Sequence, residues 1–185
     1  MPDRVADLEV FESIPWCQPI LQDPDFELAS TWSRTYVAES RENELLGHTL
    51  KNDNTIRGWI SLYNRPTQTR PLKDEVHTLM SLDQGLNGYP RVIHGGITAT
   101  ILDEVQSILV SVCLESAGLS PDNVTADLRI TYLKPIVLPC VVLIKAKIKD
   151  IKGRKYFADA EIVNEKAVVL ARGEGLFVTV GREKL

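Results

Sequence analysis

Two acidic residues, Asp103 and Glu104, sit in the middle of a long proline-free apolar run, HGGITATILDEVQSILVSVCLESAG, residues 94–118. A carboxylate in apolar surroundings is costly unless it is paired, and otherwise it neutralises. One reading puts Asp103 or Glu104 on a solvated stripe of the segment, or in an ion pair with Arg129 or another cation. The other opens one carboxylate into a cleft, where partial desolvation tunes it as a base or nucleophile. The head of the run, His94-Gly95-Gly96, bears on the choice. Successive glycines at a helix start let a ligand approach backbone N–H groups that the helix leaves unpaired. Those amides and the helix dipole favour a developing oxyanion. Asp103 follows His94 by nine residues, about two and a half turns, so amides and carboxylate can lie along one side of one helix. Glu104 projects about 100° from Asp103 and is the second candidate carboxylate. Ser107, one turn beyond Asp103, reads as a small packing residue.

The elements that must hold these residues follow from the surrounding pattern. The glycine pair and Gly118 bound a helix. Its apolar positions (Ile97, Ile101, Leu102, Val105, Ile108, Leu109, Val112, Cys113 and Leu114, with Val110 on another side) cover nearly the whole circumference. Such a helix is buried all round. The charged centre argues against a membrane span.

Strands flank the helix. Glu75–Leu82 reads as one, followed by turn chemistry in QGLNGYP. After the helix, NVTADLRITYLKP (123–135) alternates, with Val124, Ala126, Leu128 and Ile130 on one face and Thr125, Asp127, Arg129 and Thr131 on the other. Val142, Ile144, Ala146 and Ile148 repeat the pattern, and Lys152-Gly153-Arg154 turns the chain. Tyr156, Ala158, Ala160 and Ile162 return it. With Gly153 at the hairpin centre, Lys145 faces Glu161 and Lys147 faces Asp159, mildly favourable pairs. A turn at Asn164-Glu165-Lys166 leads to a last strand within 167–180, in which Gly173-Glu174-Gly175 marks a bulge or bend. One long helix and an antiparallel meander make an α+β fold.

Residues 1–70 are mixed and punctuated by proline; short helical or irregular pieces are expected at 11–16 and 19–28, and a helix or strand at 55–63. The loop 64–71 is taken as the boundary between an N-terminal arm, residues 1–70, and a core domain, residues 71–185. Trp16, Trp32 and Trp59 are expected to pack the arm onto the core.

Composition excludes several classes. With 185 residues, 44% hydrophobic and 25% charged, the chain is ordinary for a soluble domain and apolar enough to fold. Lys and Arg total 21 against 25 Asp and Glu, a net charge of −4, which argues against nucleic acid as a partner. Cys17, Cys113 and Cys140 form no metal or disulfide pattern, so no metal is expected, and free thiols suit a reducing compartment. The acidic N-terminus is neither a secretory signal nor a transit peptide. The C-terminal GREKL has Glu183 where a peroxisomal tail has Ser, and is read as chance. A cytoplasmic location is expected, with mitochondria and peroxisomes left open.

The segment HGGITATILDE, together with VTADLRITYLKP and its Tyr-x-x-Pro ending, resembles the His-Gly-Gly…Asp signature of hotdog-fold acyl-CoA thioesterases. The similarity is to the branch of phenylacetyl-CoA thioesterase and thioesterase superfamily members 2 and 4, and the NGYP before the histidine is similar to fungal members. It covers roughly residues 82–180. The resemblance implies a central helix wrapped by a curved antiparallel sheet. It implies a homodimer or dimer of dimers, with the acyl-CoA substrate threading between protomers and no cofactor beyond the coenzyme A it carries. Asp103 matches the catalytic carboxylate, as general base or as nucleophile. Gly95 matches the oxyanion N–H, with His94 positioning and Gly96 beside it. Thr125 matches a Ser or Thr that orients the attacking water from the partner subunit; a half-buried strand Thr is the alternative. Asn87 lies one residue away from an asparagine that contacts the thioester, and a turn-forming role is the alternative. Arg129, Lys134 and Arg154, with Lys152 and Lys155, are candidates for the anionic coenzyme A, or form a solvated face.

Two rivals stand beside hydrolysis. A dehydratase or isomerase on acyl thioesters would use the same fold, but its Asp and His hydratase motif is not present. A non-catalytic acyl-CoA-binding or interaction subunit would use the long arm.

Overall fold

The structure, a computed structural model, describes residues 7–181. Residues 1–6 of the acidic N-terminus and residues 182–185 of the C-terminal tail lie outside it.

The chain builds one seven-stranded antiparallel sheet in the order β1-β2-β3-β7-β8-β9-β6 and a two-stranded ribbon, β4 with β5. The strands are β1 (Phe26–Ala29), β2 (Ile56–Asn64), β3 (Glu75–Leu82), β4 (Asn87–Tyr89), β5 (Val92–Ile93), β6 (Asn123–Tyr132), β7 (Cys140–Lys152), β8 (Lys155–Val163) and β9 (Val169–Thr179). Two single-turn helices, α1 (Glu9–Glu12) and α2 (Gln18–Leu21), open the chain, and α3 (Gly95–Ser116) is the long central helix.

The sheet wraps α3. Ile101, Leu102, Val105, Leu109 and Cys113 pack against Trp59, Met80, Ile144, Ala158 and Phe177 in one buried core. By length and hydropathy α3 could cross a membrane, but more than half of its most apolar stretch is buried inside the protein, as a core helix requires.

The opposite face of the sheet is divided. Ile60, Leu79, Leu143 and Val163 stand side by side in register across β2, β3, β7 and β8. Phe11 and Cys17 from the N-terminal segment cover this row. Two rows on, the same face carries Glu75, Lys147, Asp159, Glu174 and Arg129 in register, so opposite charges alternate over part of a solvated face. Lys145 stands opposite Glu161 and Lys147 opposite Asp159 as the hairpin spacing predicts, while the ion pairs themselves run Lys149–Asp159 and Arg172–Glu161.

The loop 64–71 falls in the connection between β2 and β3, two strands of the same sheet. Residues 26–64 thus supply β1 and β2 to the sheet instead of lying on it. The reason is burial: Trp59 faces the α3 core and Ile60 faces the Phe11 cluster, so β2 is covered on both sides. Trp16 packs in that second cluster, while Trp32 stays 39% exposed. The arm is anchored further by Arg34, 5% exposed, which donates to Asp7 Oδ2 and to the carbonyls of Leu46 and Ile56.

Candidate active site

α3 begins where the sequence places it. His94 is its N-cap in extended conformation, and Nδ1 accepts the Gly96 N–H at 2.9 Å. The Ile97 and Thr98 N–H groups donate to the His94 carbonyl. The Gly96 amide is therefore committed, and among the described residues the Gly95 N–H has no partner. Gly95 is exposed, and its carbonyl accepts from Tyr132 Oη at 3.0 Å. Gly95, Tyr132 and Lys134 line a cavity of about 320 Å³ at the helix start.

Asn87 pairs across the β4–β5 ribbon with Ile93, beside His94. A methyl group on the next residue, Gly88, would lie 2.7 Å from His94 Cα, so the ribbon needs glycine to approach the cap this closely.

Farther along α3, Thr125 Oγ1 donates to Asp103 Oδ1 at 2.8 Å. Both belong to one chain, where the resemblance would have the orienting hydroxyl come from the partner subunit. The contact depends on a register shift in β6 between Thr125 and Asp127. The unbroken alternation predicted for β6 puts Thr125 on the face opposite Leu128 and Ile130. One extra residue reverses the phase, so Thr125 and Ile130 both face the α3 side.

Gly95 and Asp103 are eight residues apart, which along α3 is about 12 Å and about 80° of rotation. The carboxylate and the amide do not converge on one atom within the chain. β6 marks the same separation: Thr125 anchors at Asp103 near one end and Tyr132 at Gly95 at the other.

Glu104 turns away from Thr125 into a second cleft of about 310 Å³, between α3, the start of β6 and the turn around Trp32. Burial pushes its carboxyl above the usual range; Ser33 opposes that shift and the Asp103 charge adds to it. Ser107 does more than pack, since its Oγ donates to Asn123 Oδ1.

The expected cationic set divides. Lys134 stands with Gly95. Arg129 faces Glu174 on the charged outer side of the sheet, 76% exposed, and is not brought to Asp103. Arg154, in the β7–β8 turn beside Thr179, lies at the far end of the sheet from Lys134. Sequence reasoning missed three residues: Tyr132, Ser33 and Gln106. The Tyr-x-x-Pro ending of the strand was a signal for Tyr132. The other two had none, because their roles depend on contacts between distant segments.

The Thioesterase superfamily profile matches residues 91–171, from just before the helix cap to the last strand. Acyl-coenzyme A thioesterase THEM4 from Mus musculus is 37% identical over 110 residues, covering 57% of this chain and 44% of that protein. The chain thus spans less than half the length of that relative. Among solved structures, zebrafish thioesterase superfamily member 2 superposes with a TM-score of 0.55 at 21% identity, over 66% of this chain and 81% of that one. A hypothetical thioesterase protein from Streptococcus pneumoniae TIGR4, solved with coenzyme A, gives 0.52 at 24% identity over 58% and 80%. The signature at the helix start, the wrapped helix and these matches agree: residues 91–171 are similar to the thioesterase superfamily, and the fold is the hotdog fold.

Proposed function

We propose that this chain hydrolyses acyl-CoA thioesters to the free acid and coenzyme A. The observation that carries the proposal is the Thr125–Asp103 hydrogen bond. It fixes the carboxylate by one oxygen and leaves the other to accept a proton from water. The mouse relative's name and the coenzyme A in the Streptococcus neighbour support the substrate class.

Asp103 acts as general base. Water adds to the thioester carbonyl carbon as its proton passes to Asp103. The Gly95 N–H, free of other partners, receives the oxyanion. Collapse breaks the carbon–sulfur bond, and the thiolate takes the proton back from Asp103. His94 holds the Gly96 amide and so shapes the turn that presents Gly95. Lys134 beside Gly95 attracts the substrate's phosphates.

One carbonyl must touch the amide and lie one water away from the carboxylate, a span of about 6–7 Å. The distance of about 12 Å along α3 is too long, so one site takes its amide and its carboxylate from two copies of the chain. β6 ends the sheet and is bonded on one side only. Antiparallel pairing of two β6 strands about their middle would bring the Tyr132–Gly95 end of one copy to the Thr125–Asp103 end of the other. A homodimer with two shared sites follows.

The test is thiol release from short, medium, long and aryl acyl-CoAs. Asp103→Asn is expected to lower turnover by about 10²- to 10⁴-fold with the melting temperature retained. Thr125→Val should cost about tenfold, the worth of one hydrogen bond to a charged group, and Thr125→Ser should restore it. Turnover retained in Asp103→Asn would refute the assignment.

A further inference from the structure

Gly95 and Gly96 open α3. Two successive glycines are a loose way to start a helix, because glycine gives up more backbone freedom on ordering than any other residue. Hydrolysis as proposed depends on one direction there, that of the Gly95 N–H. The direction is set by the two peptide groups that meet at Gly95. The first is held by its carbonyl, since His94 O accepts from the Ile97 and Thr98 N–H groups. The second, between Gly95 and Gly96, is gripped at both ends. Its N–H donates to His94 Nδ1 at 2.9 Å, and its carbonyl accepts from Tyr132 Oη at 3.0 Å.

Tyr132 reaches Gly95 from a fixed base. It is the last residue of β6 and stands opposite Ala171 of β9, which is buried. The next two amides, of Leu133 and Lys134, both donate to the Leu170 carbonyl, at 2.9 and 3.0 Å. The Ile136 carbonyl accepts from the Ile93 N–H, one residue before the cap. The segment that carries the tyrosine is thus tied both to the sheet and to the strand leading into α3. The ring also lies against Gly95: a methyl group built there would meet Cε1 and Oη at 3.6 Å. The cavity walls around it, Val92, Ile93, Leu133 and Ile136, are apolar, and a phenylalanine would suit them equally. The hydroxyl has one partner among the described residues, the Gly95 carbonyl.

We infer that Tyr132 is a positioning residue for the hydrolysis: its hydroxyl locks the Gly95–Gly96 peptide and so keeps the Gly95 N–H aimed at the thioester oxygen. It acts through Gly95, without touching the substrate or passing it a proton. The bond is exposed and contributes little to stability. Its value is kinetic, because a donor stabilises an oxyanion fully only when it is already aimed before the charge develops. The inference rests on the thioesterase reading.

Tyr132→Phe removes one oxygen and keeps the ring. On an acyl-CoA that the parent cleaves, kcat and kcat/KM should fall together by about tenfold, less than the roughly 10²- to 10³-fold cost of losing an oxyanion donor outright. The pH profile of kcat should keep its shape, since no proton passes through Tyr132. The order parameters of the Gly95 and Gly96 N–H groups, from ¹⁵N relaxation, should drop from the rigid value of about 0.85 towards about 0.6. His94→Ala frees the other end of the same peptide, so the double variant should be only as slow as the slower single one. His94→Asn, whose side chain can accept the same N–H, should stay sensitive to Tyr132→Phe. Melting curves show that each variant is folded at the assay temperature. Parental turnover in Tyr132→Phe, a loss carried by KM alone, a displaced pH profile, unchanged order parameters or losses that multiply in the double variant overturn the inference and leave hydrolysis standing. If the parent releases thiol from no ester, the hydrolytic reading fails and the inference falls with it.

Discussion

Glu104 and Gln106 are two residues apart on α3, and the helix treats them in opposite ways. Gln106 faces the sheet and is fully buried. Its Nε2 donates to the Leu102 carbonyl, and its Oε1 has no partner. The backbone of β9 is shaped around it: a methyl group at Gly173 would lie 2.9 Å from Nε2, and one at Gly175 would lie 2.8 Å from Oε1 and 2.5 Å from the Phe177 ring. Gly173-Glu174-Gly175 is therefore a slot for an amide. Glu104 faces the sheet edge, where no strand closes over it and a cleft remains. A polar group on the closed side is held by removing neighbours' side chains. On the open side, the Asp103 carboxylate, bonded to Thr125 by one oxygen, keeps the other for water. The same helix carries structure on one side and candidate chemistry on the other.

The largest effect that tests this division is on the closed side. Gly175→Ala must displace the Phe177 ring and Gln106, both fully buried. Overpacking of this kind costs about 1–3 kcal/mol, to be read from the denaturant midpoint. An unchanged midpoint would show that the slot is loose and the contrast false.

A smaller effect belongs to the open side and depends on pH. Burial raises the Glu104 carboxyl above its ordinary 4.5, so between that value and the raised one the folded chain keeps a proton that the unfolded chain has lost. Stability attributable to Glu104 falls as pH rises through this window. Glu104→Gln removes the fall. The variant should gain stability relative to the parent between pH 4.5 and pH 8, measured as the difference in unfolding free energy at the two pH values. A constant difference would mean that the cleft hydrates Glu104 fully.

The division was only partly legible beforehand. α3, β3, the β7–β8 hairpin and its register follow from period and turn chemistry, because each is a local pattern. The His94 cap and the candidate role of Asp103 follow from residue type and spacing. Thr125 was named through a family resemblance, while the alternation of its own strand pointed it away from the helix; a single inserted residue in β6 carries no hydrophobic signature. β2 was ambiguous because a strand covered on both sides loses the alternation that identifies strands. The pairing of Gly173 and Gly175 with Gln106, like that of Ser33 with Glu104, joins segments about 70 residues apart, and such pairings leave no trace in a local window.

The smallest effect is the most informative about the closed side. Gln106 Nε2 donates to the Leu102 carbonyl, which already stands where the helix ladder supplies the Gln106 N–H. The side-chain amide thus adds a second donor to one acceptor, and its own oxygen is left without a partner. Removing both polar atoms together, in a side chain of similar length, is close to neutral because no unpaired group is left behind. Gln106→Met keeps the volume that fills the space over Gly173 and Gly175. Its stability should match the parent or exceed it by up to about 1 kcal/mol, and thiol release should be unchanged because Gln106 faces away from Asp103's partners. A loss of more than about 1 kcal/mol would mean that Oε1 is satisfied by an internal water. The sheet side of α3 would then be wet, and the two sides of the helix would differ in access to ligand rather than in access to water.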